Sequence, residues 1–358
     1  MKSGRLVCGR MIETFERQLA TYVKVRYAVC VSSGTAALHL GLLALGIGPG
    51  DDVIVPAFSY PASANAVEIL GARPVFIDSE PNGFNIDVSR IENSITSRTR
   101  AIMIVHNFGW PVEINKIHAL SRKYDIPIIE DAACALGSSI AGVRCGNLGK
   151  LAVFSFHPRK ILTTGEGGAV VTGDLELAEK IKKLRNHGQD FSHGVDFVMP
   201  GFNYRMTEFQ AAMGISQLNR YDLTLQERLK SADYYNRNLN DLKFLRPCLP
   251  EANRRLNYQT YVAFMTGDFR DDIIDHLKNY EIEAGIGTYS IPHTTYYSNK
   301  YNIDKFRFSG SLGAFKNIIS LPLYNGITTY EQKHVVEALK KYKADKKGSR
   351  IKQTVKSL

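Results

Sequence analysis

The sequence has no apolar run long enough to cross a bilayer. Its longest such stretch, LHLGLLALGIG (38–48), falls short of the roughly 20 residues that a spanning helix needs. The opening MKSGRLVCGRMIETFERQ has no apolar h-region, so no signal peptide is expected and the protein reads as cytoplasmic. Cysteine patterning is missing as well. Cys8, Cys30, Cys134, Cys145 and Cys248 form no CxxC pair and are odd in number, which argues against a disulfide framework and a zinc knuckle. The nine histidines show no HExxH or other ligand spacing, so no metal site is expected. Neither GxxxxGK[ST] nor GxGxxG occurs, and the Walker and Rossmann readings fail with them.

What is present begins with charge. The formal net charge is +10, and much of the excess lies in KKYKADKKGSRIKQTVKSL (340–358). A Lys-rich terminal run reads as a solvated, disordered tail, and nucleic-acid binding is not expected from it. Basic balance also suits an anionic substrate such as a nucleotide-linked metabolite. At 358 residues the chain is long enough for two lobes, each with its own core.

The first two-thirds alternates apolar runs with helical patterns. AVCVSS (28–33), DVIVPAFS (52–59), RPVFID (73–78), AIMIVH (101–106), IPIIED (126–131), LAVFSF (151–156) and GAVVT (168–172) read as strands. Most are apolar throughout, as strands buried on both faces are. TAALHLGLLALG (35–46), PASANAVEILG (61–71) and EINKIHALSRKYD (113–125) read as helices between them. Such alternation predicts an α/β fold with a mostly parallel sheet, and a ligand at the carboxyl ends of its strands. Residues 207–240 read as a connecting helix or helix pair. A smaller α+β lobe follows, with a strand at 258–267 and helices at 271–282 and 327–342.

Three stretches at the ends of strands carry chemistry. In SSGTAAL (32–38) a helix opens at Thr35 and Ala36, which makes either a simple cap or an anion site. In IPIIEDAACALGS (126–138) a buried strand delivers Glu130 and Asp131 to the edge of the sheet, where a carboxylate needs a donor or a cation. Asp131 could cap the next segment or pair with a protonated pyridine nitrogen. In FSFHPRKILTTGEGG (154–168) Lys160 stands between a strand and a Gly-rich turn. Near such an Asp and a phosphate cradle, it fits a Schiff-base lysine for pyridoxal phosphate (PLP).

With these motifs in this order, nearly the whole chain resembles the DegT/DnrJ/EryC1/StrS family of PLP-dependent nucleotide-sugar aminotransferases. LRNHG (184–188), GFNYRMTEFQAAMGISQL (201–218) and SLPLY (320–324) add to the likeness, whose nearest flavour is the perosamine synthase-like group. The resemblance implies PLP-dependent transferase fold type I, aspartate aminotransferase-like, with a seven-stranded sheet. It implies a large PLP-binding domain over 1–220, a small domain over 221–343 and a tail over 344–358. The catalytic residues it implies are Lys160, as cofactor anchor and proton shuttle, and Asp131, against the pyridine nitrogen. Thr35, Ala36 and Ser155 would hold the phosphate, Tyr60 would stack on the ring, and Cys134 would lie against its other face. Asn203 would reach the phosphate of a neighbouring subunit's cofactor, so a homodimer with shared sites is implied. His293 would lie near the sugar-nucleotide pocket.

The implied reaction moves an amino group from L-glutamate to a nucleotide-linked keto-deoxy sugar, likened to a 4-keto-6-deoxyhexose. Surface polysaccharide such as O-antigen, or antibiotic sugars, would be the destination. Two alternatives stand beside it: the family's sugar dehydratase branch, which carries histidine where this chain has Lys160, and a non-enzymatic regulatory or nucleic-acid-binding relative. The sequence departs from the family pattern twice. Cys134 replaces a larger polar residue and reads as a buried inert thiol. The chain also begins close to SGRLVCGRMIETFE, without the family's Ile-Pro-rich opening, so either its N-terminal segment reads as shortened or its start as misplaced.

Overall fold

The computed structural model describes residues 4, 6–192, 194–267, 269–304 and 306–342, with the backbone of the closing helix as far as Lys356. The run over 344–358, expected to be a disordered tail, instead continues the closing helix in its backbone as far as Lys356, and its side chains lie outside the described residues.

Seven strands make the central sheet: β1 (Tyr27–Val31), β2 (Asp52–Pro56), β3 (Arg73–Ile77), β4 (Thr99–Val105), β5 (Ile128–Asp131), β6 (Leu151–Ser155) and β7 (Gly168–Thr172). Their order is β1-β7-β6-β5-β4-β2-β3. β7 runs antiparallel to both β1 and β6, while the other neighbours are parallel. The sheet is mostly parallel and has the seven strands expected. Every residue of β2 and β7 is buried, which is why these strands read as unbroken apolar runs.

Helices cover both faces. On one side α1 (Arg10–Val23), α4 (Asn115–Tyr124) and α6 (Glu208–Leu218) enclose a core that includes Phe15, Leu19, Ile117 and Ala211. On the other, α2 (Gly34–Ala44), α3 (Ala62–Ile69) and α5 (Leu175–Arg185) enclose Leu40, Leu42, Val67 and Ile181. Alternate residues of one strand feed opposite cores, Ala28 and Cys30 joining the first, Val29 and Val31 the second.

The helical pattern over 207–240 is two helices. α6 starts with a capping box between Thr207 and Gln210 and ends at Leu218, and α7 runs from Tyr221 to Leu239. α7 spans two cores: Tyr221 and Leu225 pack into the large one, Ala232, Tyr235 and Leu239 into a separate one. That second core is built on β8 (Leu245–Pro247), β9 (Tyr261–Met265), β10 (Gly285–Ile286) and β11 (Ile318–Leu321), ordered β8-β9-β11-β10. α8 (Arg270–Lys278) and α9 (Thr329–Lys356) bury Ile273, Leu277, Val335 and Leu339 against it. The smaller lobe returns to the larger through a short antiparallel ladder, Tyr289 pairing with Ser59 and Ser290 with Phe58. Among the described residues no helix is long and apolar enough to cross a membrane.

Candidate active site

The carboxyl ends of β1, β5 and β6 lie at one edge of the sheet, and β7 begins there because it runs the other way. Gly168 pairs with Val31 on one side and Ser155 on the other. The contact is too close for a side chain, since a Cβ on Gly168 would sit 2.5 Å from the Ser33 carbonyl carbon. One on Gly34 would sit 2.8 Å from Ser155 Cβ. The first turn of α2 and the Ser155 hydroxyl therefore form one compact cup. Ser33 caps α2 by accepting the Ala36 N–H at 3.0 Å. Ala36 thus spends its N–H on the cap, leaving those of Gly34 and Thr35 without an intrahelical acceptor. A phosphate drawn to Ala36 would have to displace Ser33; Gly34 was not singled out from the sequence.

Adjacent residues at the end of β5 point to opposite faces. Glu130 is fully buried and accepts the N–H groups of Gly146 at 2.7 Å, Leu148 at 2.7 Å and Gly149 at 2.8 Å, with His106 Nε2 at 3.0 Å. Burial opposes a charge on His106, while neighbouring Cys145 and Glu130 favour one and would push its pKa up to about 10. The Val112 N–H, however, donates to His106 Nδ1 at 3.1 Å. That bond needs a lone pair which a protonated ring lacks, so the ring is neutral and gives its Nε2–H to Glu130.

Asp131, only 6% exposed, is held far more lightly. It accepts the Ser63 hydroxyl at 2.7 Å and the Ala133 N–H at 3.2 Å, and has no ion pair among the described residues. Ser63 is in turn 3.1 Å from Ser59. Ser63 was missed in the sequence, where it lies inside a helical pattern; a serine on the buried side of a helix is the signal that could have found it.

Lys160 follows β6 and is half-buried, its Nζ 3.0 Å from Cys134 Sγ. Cys134 is therefore a partly exposed thiol beside the lysine, where the sequence reads it as buried. Tyr60 is 60% exposed, one residue beyond the inter-lobe ladder, its ring 6.3 Å from that of Tyr289. His293 lies in the same region, Nδ1 sharing a 2.7 Å hydrogen bond with Ser290 Oγ. Asn203 is exposed and bridges to Asn186, beside Tyr204, whose carbonyl accepts the Ser32 N–H at 2.8 Å. The loop over 201–206 thus runs along the end of β1, but the Asn203 side chain is not gathered with Lys160, Cys134 and Ser155.

A model of the DegT/DnrJ/EryC1/StrS aminotransferase family matches residues 1–340. The chain belongs to that family. The GDP-perosamine synthase of Caulobacter vibrioides is 38% identical over 338 residues, covering 92% of this chain and 90% of that protein. The GDP-perosamine synthase of Escherichia coli O157:H7 is 35% identical over 342 residues, covering 94% and 92%. Spr1654 from Streptococcus pneumoniae, solved in its PLP form, superposes with a TM-score of 0.90 at 29% identity, covering 95% of this chain and 93% of that one. As a DegT/DnrJ/EryC1/StrS member the chain is a PLP-dependent aminotransferase with the type I fold. The residues at the sheet edge fit that cofactor: a helix start for an anion, an amine for a carbonyl, and a buried carboxylate lacking a cation.

Proposed function

We propose that this chain transfers an amino group from L-glutamate to a nucleotide-linked keto-deoxy sugar, of the 4-keto-6-deoxyhexose class. The GDP-perosamine synthase names of the two relatives support the sugar class. The observation that carries the reading is the meeting of Lys160, the cation-free Asp131 and the Ser155–α2 cup at one sheet edge.

PLP, when bound, carries the amino group in transit and takes up the electrons released when a proton leaves. Lys160 would anchor that group, and its amine would move the proton. Asp131 can accept one more hydrogen bond on either oxygen, and its charge would hold the pyridine nitrogen protonated. Ser63 and the Ala133 N–H keep that carboxylate in one orientation. Thr35, Ala36 and Ser155 would take the phosphate, Gly34 with them. Tyr60 would lie on the ring and Cys134 on its other side, with His293 toward the sugar nucleotide.

The homodimer belongs to the same proposal. Phe191, Val195, Phe197 and Val198 are all strongly exposed in the segment leading to Asn203. An apolar face of this kind beside the site fits a second copy, whose phosphate cup Asn203 would complete. We place the protein in the cytoplasm, in surface polysaccharide synthesis of the O-antigen kind, with domains at 1–220 and 221–343.

The test is to incubate PLP-loaded protein with L-glutamate and a panel of keto-sugar nucleotides. 2-Oxoglutarate and an amino sugar should appear together. No visible absorption band after PLP addition, and no product with any sugar, would sink the reading.

A further inference from the structure

A turn at the start of the smaller lobe touches both arms of the site. Asn257 is 1% exposed, and its Nδ2 donates to the carbonyls of Cys134 at 2.9 Å and Leu136 at 3.0 Å. Its N–H donates to Ser138 Oγ at 3.0 Å, and its Oδ1 accepts the Gln259 N–H at 2.8 Å. The fit is tight, since a Cβ on Gly109 would come within 1.8 Å of Asn257 Oδ1. Two residues on, the Gln259 amide straddles Lys160. Oε1 accepts the Ile161 N–H at 3.2 Å and Nε2 donates to the Arg159 carbonyl at 2.7 Å.

The turn itself is held under strain. Tyr258 has φ of 49°, a left-handed conformation that a bulky side chain rarely adopts. Arg228, buried on α7, locks it by donating to the Tyr258 carbonyl at 2.6 Å and 3.2 Å and to that of Gln259 at 3.2 Å. The same guanidinium reaches Leu323 O at 3.0 Å and Asn325 Oδ1 at 3.1 Å. Asn325 Nδ2 returns to the Ile161 carbonyl at 3.4 Å.

We infer that Gln259 is a positioning residue for Lys160, fixing the peptide groups on both sides of the lysine so that its amine reaches one point in the site. Asn257 sets the Cys134 loop in the same way, and Arg228 ties both to the smaller lobe. The inference rests on Lys160 being the cofactor anchor. A side-chain amide is suited to the task because it offers one acceptor and one donor in a plane, matching the N–H and C=O that flank a residue. Losing the fork leaves the amine present but poorly aimed, and misplacement by about 1 Å can cost on the order of 10²-fold in rate.

Two variants test this. Gln259→Ala removes both bonds. Gln259→Glu keeps the acceptor for Ile161 but loses the donor to Arg159, and only a protonated glutamate regains it. Apo-protein is mixed with PLP and the visible band is followed in time, alongside turnover of the loaded enzyme and its melting temperature. In Gln259→Ala, band formation and kcat are expected to fall roughly 10- to 100-fold, with KM for glutamate unchanged. In Gln259→Glu the loss should shrink as pH falls, unlike in Gln259→Ala. Wild-type band formation and kcat in Gln259→Ala overturn the positioning role, as does a Gln259→Glu profile parallel to that of Gln259→Ala. A visible band that persists in Lys160→Ala overturns the reading of the lysine itself, and the inference with it.

Discussion

The two faces of the sheet at the end of β5 hold carboxylates one residue apart, and they are furnished in opposite ways. Behind the sheet, Glu130 meets three backbone N–H groups and a neutral histidine, so its capacity for hydrogen bonds is nearly filled. In front, Asp131 meets one hydroxyl and one N–H and is nearly as remote from water. A buried carboxylate is stable only when its charge is answered. Glu130 is answered entirely by its own chain and serves to anchor the loop over 146–149. Asp131 is answered in part, and the remainder is what a protonated cofactor nitrogen would supply. Partial satisfaction, more than burial or charge, separates the carboxylate proposed to face the cofactor from the structural one.

This contrast can be broken from either side. The largest effect is expected from removing the amine in front: Lys160→Ala should lower turnover by roughly 10⁴-fold or more and abolish the visible band, with the melting temperature unchanged. Retained turnover would remove the amine from the chemistry. Glu130→Ala should do the reverse. Three buried N–H groups lose their acceptor, and a stability loss of about 3–5 kcal/mol is expected in denaturant titration. Asp131→Asn keeps the shape and an acceptor for Ser63 while deleting the charge. Turnover should fall by about 10²–10³-fold, as when a preorganised electrostatic partner is lost, with little change in stability. A large stability loss with normal turnover would mean the two carboxylates had been assigned the wrong way round.

The sequence made this edge visible because strands buried on both faces leave unbroken apolar runs, and the polar residues that end such runs stand out. Asp131, Lys160 and Ser155 were found in that way, and α2 was recognised as an opening helix. Its cap was harder to read. Ser32, Ser33 and Gly34 are all compatible with a helix start, and only the backbone shows that Ser33 takes the Ala36 N–H. Asn257 and Gln259 gave no signal at all. They fall at the margin of a stretch that reads as strand, while the left-handed Tyr258 makes it a turn. Gln259 also lies 100 residues from the carbonyl of Arg159 that it holds. Local patterns report on burial and backbone state, whereas a fork that reaches across two lobes depends on how those lobes meet.

The smallest expected effect concerns the protonation of His106 behind the sheet. His106→Ala leaves Glu130 its three backbone donors and orphans the Val112 N–H, a cost of about 1–3 kcal/mol with turnover unchanged. Its dependence on pH discriminates further. A ring charged in the folded protein, with its pKa raised to about 10, would add stability that is fully present below the unfolded value. That stability would drain away as pH rises from about 6.5 towards the folded pKa, and the gap between wild type and His106→Ala would shrink over the same range. A ring kept neutral by the Val112 N–H adds no such term. Above about pH 7 both folded and unfolded histidine are then uncharged, and the gap should stay flat to about pH 9. A shrinking gap would show that Val112 yields its bond to a proton, and that Glu130 is balanced by an ion pair as well as by dipoles.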